Sequence, residues 1–493
     1  MPRPAYAAQI RNPAFPDPVT NQDWTLITLA LASVVMLVVL VTRWKVNAFI
    51  ALALASLLVG TGAVVMKVMP SGAKEPLTMF AVTELFSLGL GKTLGSIAAL
   101  IGLGTMFGKL LAESGGANVL AKRFTAFFGP KRVVWCVMAL AVAVGLPTWF
   151  AVGLVLLLPV LISLTHETKE PFLKLAIPLI SCMSVMHGLM PPHPGPVAAM
   201  GAFRDAHFAP NIGMILVWGF VIGLPTAFIA GPIFAKRAAR LVHAEAPPMP
   251  VLTDRGDITP PPFGLTLFSI LLPIMLMLLD TVARILLPAA AADRTEFQTA
   301  LLNCASFVGH STVALLVSVL FASWSFGTRC GYTPAQVLKF TEQSISGVGL
   351  TLLVVGGGGG FAAVLRDAGV AASMGKLASE LGLPVLLYGW LIAAFIRVAT
   401  GSATVSIMTS AGLVAPVLAN YPGTNVELLI IAIGCGSLFL SHLNDGGFWI
   451  VKECLGLSVS QTLRTWTITE TIIGILGLCI TLGVHAVWQA FHH

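Results

Sequence analysis

Long uninterrupted apolar runs, Trp24 to Thr42 and Ile212 to Phe234 among them, recur almost to the C-terminus of this chain. Each is long enough to cross a hydrocarbon core of roughly 30 Å as a helix. Composition agrees. Of 493 residues 56% are hydrophobic and only 10% charged, at a mean hydropathy of +0.90, which leaves too few charges to coat a water-soluble surface. The expected fold is an all-α polytopic membrane protein with no soluble domain of useful size.

The formal charge of +7 does not by itself point to an acidic partner, because membrane chains collect Lys and Arg in cytoplasmic loops, where they set orientation. Arg43/Lys45, Lys122/Arg123/Lys131/Arg132, Lys236/Arg237/Arg240, Arg329/Lys339 and Lys452/Arg464 are separated by even numbers of crossings. All are therefore assigned to the cytoplasm, and both termini to the periplasmic side of a bacterial inner membrane. Nucleic acid is not an expected partner. The first apolar run has no small-residue cleavage site after it and is read as a retained span. The seven cysteines are scattered, odd in number and without C-x-x-C spacing, so neither a disulfide framework nor a metal site is indicated. No cofactor is expected.

Residues 1–70 read as N-terminal scaffold spans, 71–240 as a first repeat, Leu241 to Pro262 as a proline-rich cytoplasmic linker, and 263–493 as a second repeat. The repeat rests on a gapless match that pairs Gly102 with Gly356, Gly104 with Gly358, Phe107 with Phe361, Leu111 with Leu365, Glu113 with Asp367 and Gly115 with Gly369. At the same offset Pro130 meets Pro384, and His187 meets His442 with one residue of slippage. The Gly102 span leads into the Lys122 to Arg132 cluster, whereas the Gly356 span follows Arg329/Lys339, so the copies are expected to be inverted in the membrane. Each copy holds a segment too interrupted for a plain span. One, about 131–165, is broken at Gly145-Leu146-Pro147-Thr148 between two cytoplasmic flanks; its counterpart, about 383–418, is broken at Thr400-Gly401-Ser402-Ala403-Thr404. Both are expected to be re-entrant hairpins, followed by interrupted helices over about 172–203 and 426–455. Such backbone survives at membrane depth only where protein or a watery cavity shields it, so the breaks are where a site should form.

Thr400, Gly401, Ser402 and Thr404 place hydroxyls and a flexible glycine at the start of a half-helix whose free N–H groups and positive dipole end suit a carboxylate; ordinary capping is the alternative. Arg397, one turn earlier, either pairs with a bound anion or holds a structural partner. Thr148 is the side-chain ligand available at the first tip, unless that break is only a kink. Four prolines between Pro191 and Pro196 forbid a continuous helix. His187 and His193 flank the resulting carbonyls near Pro192, as ligands, proton carriers or packing histidines. In the second copy Asn444 suits substrate hydroxyls, and Asp445, a rare acid in an apolar segment, is the candidate for proton coupling with His442, against an internal structural pair.

At these residues the sequence resembles the gluconate permease family, the GntP-type gluconate:proton symporters of the ion-transporter superfamily. The words that carry the resemblance are Gly145-LPTWFAVG, His187-GLMPPHPGPVAA, Arg397-VATGSATVSIMTSAGL and Ser441-HLNDGGFWIVKE with Gln461-TLRTWTITET. The resemblance implies import of gluconate or a related small sugar-acid or hydroxy-acid anion by proton symport, an elevator-like motion, and a substrate region on Thr148, His187, Pro192, His193, Thr400 to Thr404, Asn444 and Asp445. The partners are then the organic-acid anion, protons and membrane lipid, with a homodimer one assembly open to it. A sodium-coupled carboxylate or dicarboxylate symporter is the alternative within the superfamily, and a membrane-embedded metalloenzyme using His187, His193 and His442 a distant one. Where family members commonly carry an aromatic followed by Asp in the first hairpin, this chain reads Phe150-Ala151, so the particular sugar acid is left open.

Overall fold

A computed structural model describes residues 19–68, 76–247, 258–287, 294–346, 348–442 and 445–492. Every regular element among them is helical. The chain opens with α1 (Asn21–Thr42) and α2 (Ala48–Val65), and continues through the long α3 (Met79–Glu113) and short α4 (Gly116–Phe128). A helix-break-helix unit follows, α5 (Val133–Gly145) and α6 (Phe150–Thr168), and then a second, α7 (Phe172–Leu189) and α8 (Pro194–Asp205). The first half closes with α9 (Ile212–Phe228), which runs through a π-helical turn at Ile229–Ile233 into α10 (Phe234–Leu241). Of the proline-rich stretch between the halves, 242–247 and 258–262 are extended or irregular and 248–257 lies outside the described residues.

The second half begins with α11 (Phe263–Leu286), α12 (Glu296–Gly309) and α13 (Ser311–Ala322). Next come α14 (Pro334–Ser346), α15 (Gly349–Asp367) and α16 (Val370–Glu380), then α17 (Val385–Thr400) with α18 (Ala403–Val414), and α19 (Val426–Leu438) with α20 (Gly446–Cys454). The short α21 (Val459–Thr462) leads through a π-helical turn at Leu463–Thr467 into α22 (Ile468–His492). Ten helical segments among the described residues are long and apolar enough to span a bilayer. The offset that pairs Gly102 with Gly356 carries α3 onto α14 plus α15, α4 onto α16, α5 and α6 onto α17 and α18, and α7 onto α19.

Burial separates an inner group of helices from an outer one. An 18-residue apolar stretch within Phe172–Asp205 is 89% buried and Ala403–Asn420 is 78% buried, whereas such stretches within Asn21–Val41 and Phe263–Leu286 are only 41% and 39% buried. With apolar side chains all round, a helix of the first kind belongs inside a bundle and one of the second kind faces lipid on one flank. Helices approach so closely that side chains are excluded at two crossings. A Cβ on Gly89 of α3 would lie 2.7 Å from the Gly359 carbonyl oxygen of α15, and one on Gly434 of α19 would lie 2.7 Å from the Gly188 oxygen of α7. Small residues at helix crossings give membrane bundles their close packing, since lipid supplies no hydrophobic drive between helices.

Candidate functional site

The four breaks are made by local chemistry. At the first, α5 ends at Gly145 and α6 begins after Trp149; Thr148 turns its hydroxyl back to donate to the Val144 carbonyl at 2.5 Å. His193, at the start of α8, reaches across to the same tip, its Nε2 lying 2.9 Å from the Gly145 carbonyl oxygen. One histidine thus ties the proline-rich break to the first tip. At the other tip Gly401 closes α17 in a left-handed conformation, φ +68°, which a side chain would strain. Ser402 then caps α18 by accepting from the Val405 N–H at 3.3 Å. Thr400 donates to the Ile396 carbonyl at 2.9 Å and accepts from the Ser402 N–H at 3.3 Å. Asp445 caps α20, accepting from the Gly447 N–H at 2.7 Å.

These ends converge on a cavity of about 330 Å³, within the range of small-molecule sites, about 300 to 1,000 Å³. Three helix N-termini open onto it: Trp149 to Ala151 of α6, Ser402 to Thr404 of α18 and Asp445 to Gly447 of α20. Ser184 and His187 of α7, Trp466 of the π-helical turn and Glu470 of α22 complete the polar wall. Arg397 enters from α17; only 3% exposed, it donates from Nη2 to Asp445 Oδ2 at 2.5 Å. The same oxygen accepts from the Ser441 hydroxyl, which accepts from the Trp466 indole N–H at 2.7 Å, while Thr467 donates to the Ser441 carbonyl at 2.5 Å. A continuous network therefore joins Arg397, Asp445, Ser441 and Trp466 across three elements. Buried charge is tolerated when paired and hydrogen-bonded in this way.

Of the residues singled out from sequence, His187, Arg397, Gly401, Ser402, Thr404 and Asp445 line this cavity. Thr148, Pro192, His193, Thr400 and His442 do not line it; the hydroxyls of Thr148 and Thr400 serve their own helix ends, and Pro192 and His193 are buried in the break behind the first tip. The His187 and His193 rings meet edge to face with centroids 5.1 Å apart. His442 packs beside the Val398 backbone of α17. Asn444 lies outside the described residues. Among the wall residues not singled out are four with polar side-chain atoms: Trp149, Ser184, Trp466 and Glu470. Glu470 had a readable signal, being a lone acid in an apolar run, the cue that draws attention to Asp445.

A second cavity of about 590 Å³ is lined by Gly359, Ala363 and Arg366 of α15 and by Met408 and Gly412 of α18, together with Lys92 and Asp205. A small apolar cluster borders both spaces: Val355 and Trp149 also line the smaller cavity, Met408 and Ala198 the larger, and Ile101 packs among them. Lys92 and Asp205 form a 2.8 Å ion pair that is largely exposed. Among the described residues no three His, Cys, Asp or Glu side chains gather as a metal site would require.

An all-helical bundle of apolar spans around a cavity met by three helix N-termini and a buried arginine has the build of a multi-pass membrane transporter. The chain belongs to the GntP family of permeases, whose family model matches residues 24–487. It is 39% identical over 467 residues to a gluconate permease of Pseudomonas aeruginosa, covering 94% of this chain and 98% of that one. It is 36% identical to the Gnt-II system L-idonate transporter of Escherichia coli, covering 92% and 98%, and 35% identical to a high-affinity gluconate transporter of the same organism, covering 93% and 99%. In fold it is similar to the transporters MtrF of Neisseria gonorrhoeae and YdaH of Alcanivorax borkumensis. Their TM-scores are 0.57 and 0.56 at 16% identity, each over 88% of this chain and 93% and 98% of theirs.

Proposed function

We propose that this permease imports gluconate or a related small sugar-acid or hydroxy-acid anion across the bacterial inner membrane, in symport with protons. The observation that carries the reading is Arg397: a buried guanidinium at the meeting point of three helix N-termini, with Nη2 committed to Asp445 and Nε unpartnered. Positive dipole ends and a planar cation favour a carboxylate, while Ser402, Thr404, Ser184 and His187 offer donors and acceptors to hydroxyl groups on its carbon chain. Names of the relatives support a sugar acid as that anion.

Asp445 is the group that holds Arg397 in charge balance, with His442 beside it as the further titratable group of the break. Neutralising Asp445 leaves one positive charge that a substrate anion can balance without a proton. Asp445→Asn is accordingly expected to abolish accumulation driven by a pH gradient while sparing substrate exchange. In proteoliposomes, accumulation that survives this change would remove Asp445 from coupling, and uptake driven by sodium without regard to pH would replace protons by sodium. Ala151 at the cavity wall makes the panel of acids matter: thermal stabilisation by gluconate, idonate, glycerate and 3-hydroxybutyrate ranks them, and no stabilisation by any hydroxy acid would remove the substrate class.

The matching order of α3 to α7 and α14 to α19, with basic residues at opposite ends of the two copies, supports an inverted repeat with two re-entrant hairpins, both chain termini outside, and an elevator-like alternation of access.

A further inference from the structure

Two groups of opposite charge in the cavity wall carry polar atoms left without a close partner. Glu470 is 1% exposed and neither carboxyl oxygen has a close hydrogen-bond partner, with the Ser184 hydroxyl as the side-chain donor beside it; Arg397, near enough to act on it by charge, keeps an unpartnered Nε–H. Both border the same cavity. The π-helical turn at Leu463–Thr467 brings Trp466, which anchors the Ser441–Asp445 network, and Glu470, one turn on, to this wall. Of the other titratable side chains on elements packed against α22, His187 and Arg397 line the cavity with Glu470, and Asp445 lines it from the start of α20. Lys174, Cys182, Tyr388, Glu427, Cys435 and Arg464 do not.

An ionised carboxylate buried without a partner is strongly disfavoured, so the unpaired arrangement is that of the neutral acid. We propose that Glu470 carries the co-transported proton and, by its charge, decides whether the free edge of Arg397 is open to substrate. Deprotonated, Glu470 takes the Nε edge, and the guanidinium is then held on both sides by Glu470 and Asp445. Protonated, it gives that edge up to the substrate carboxylate. Charge makes the exchange obligatory: one anion and one proton arriving together leave the net charge of the site unchanged, whereas the anion alone would set three carboxylates around one guanidinium. The proton bound at the Glu470 carboxyl leaves from the same group once the cavity opens to the other side.

This inference rests on the sugar-acid:proton reading above, and the test separates the two. In proteoliposomes with D-gluconate as probe, Glu470→Gln, which fixes the neutral form, is expected to retain gluconate exchange within about threefold of wild type while accumulation under an inward proton gradient falls at least about tenfold. Gluconate affinity of the wild type, by calorimetry, should weaken about tenfold from about pH 6 to about pH 8 and stay level in Glu470→Gln. Failure of the wild type to accumulate gluconate, or any acid of the panel above, under the gradient overturns the parent reading. Gradient-driven accumulation by Glu470→Gln at the wild-type level overturns the role of Glu470 alone. Should the variant not fold, a wild-type affinity that is flat across that pH interval overturns it as well.

Discussion

A single guanidinium organises the polar wall, and its surroundings explain why a lysine would not serve in its place. Arg397 holds Asp445 with one edge and keeps another free, which requires a planar fork, not a point charge. Arg397→Lys is expected to weaken substrate binding at least about tenfold, measured by calorimetry; affinity within about twofold of wild type would place the anion elsewhere. His193 is different in kind. Buried, and bonded to the Gly145 carbonyl, it joins the first tip to the proline break, so His193→Ala should cost about 1–3 kcal/mol of stability and lower the melting temperature with little change in affinity. A large loss of affinity at unchanged melting temperature would return His193 to the binding residues. Both histidines of the motif were visible in the sequence as candidates, but which one faces the cavity depends on how α7 and α8 meet the tip.

At the scale of elements, glycines fix which helices touch. A Cβ on Gly359 would lie 2.0 Å from the Thr93 hydroxyl oxygen and 3.0 Å from the Gly89 carbonyl oxygen, whereas one on Gly102 meets nothing within 4 Å. Gly359→Val should therefore prevent recovery of folded protein, while Gly102→Ala is neutral or stabilising by up to about 1 kcal/mol; thermal unfolding in detergent compares them, and a well-folded Gly359→Val protein would refute the close α3–α15 approach. The glycine run from Gly356 to Gly360 stands out in the sequence as the match to Gly102 and Gly104. Its purpose does not, because the partner backbone that excludes side chains, at Phe86 and Gly89, lies far away in the chain. The breaks were legible for the opposite reason: proline removes an amide donor and glycine permits a left-handed residue, and both act within a few residues of themselves.

For the whole molecule, the inverted repeat proposed above makes a prediction about sidedness. Phe127 and Leu381 stand at equivalent places at the C-terminal ends of α4 and α16, and both are strongly exposed, at 81% and 63%. In a background without native cysteines, Phe127→Cys should react with an impermeant maleimide only from the cytoplasm and Leu381→Cys only from the periplasm; labelling of both from one side would abolish the inversion. Composition and long apolar runs determined that this chain lives in lipid as a bundle of helices, since the energy of burying apolar length depends on the sequence alone. Punctuation by proline, glycine and hydroxyl residues likewise determined where helices must stop, and the motifs at those stops placed the chain in its family. The tertiary structure decided the rest: that Asp445 is paired with Arg397, that Thr148 and Thr400 turn back on their own helices, and that Glu470 borders the same cavity from the last helix. Ion pairs and cavities are made by groups brought together through packing between distant segments, and no local pattern records which buried acid will find a partner and which will be left without one.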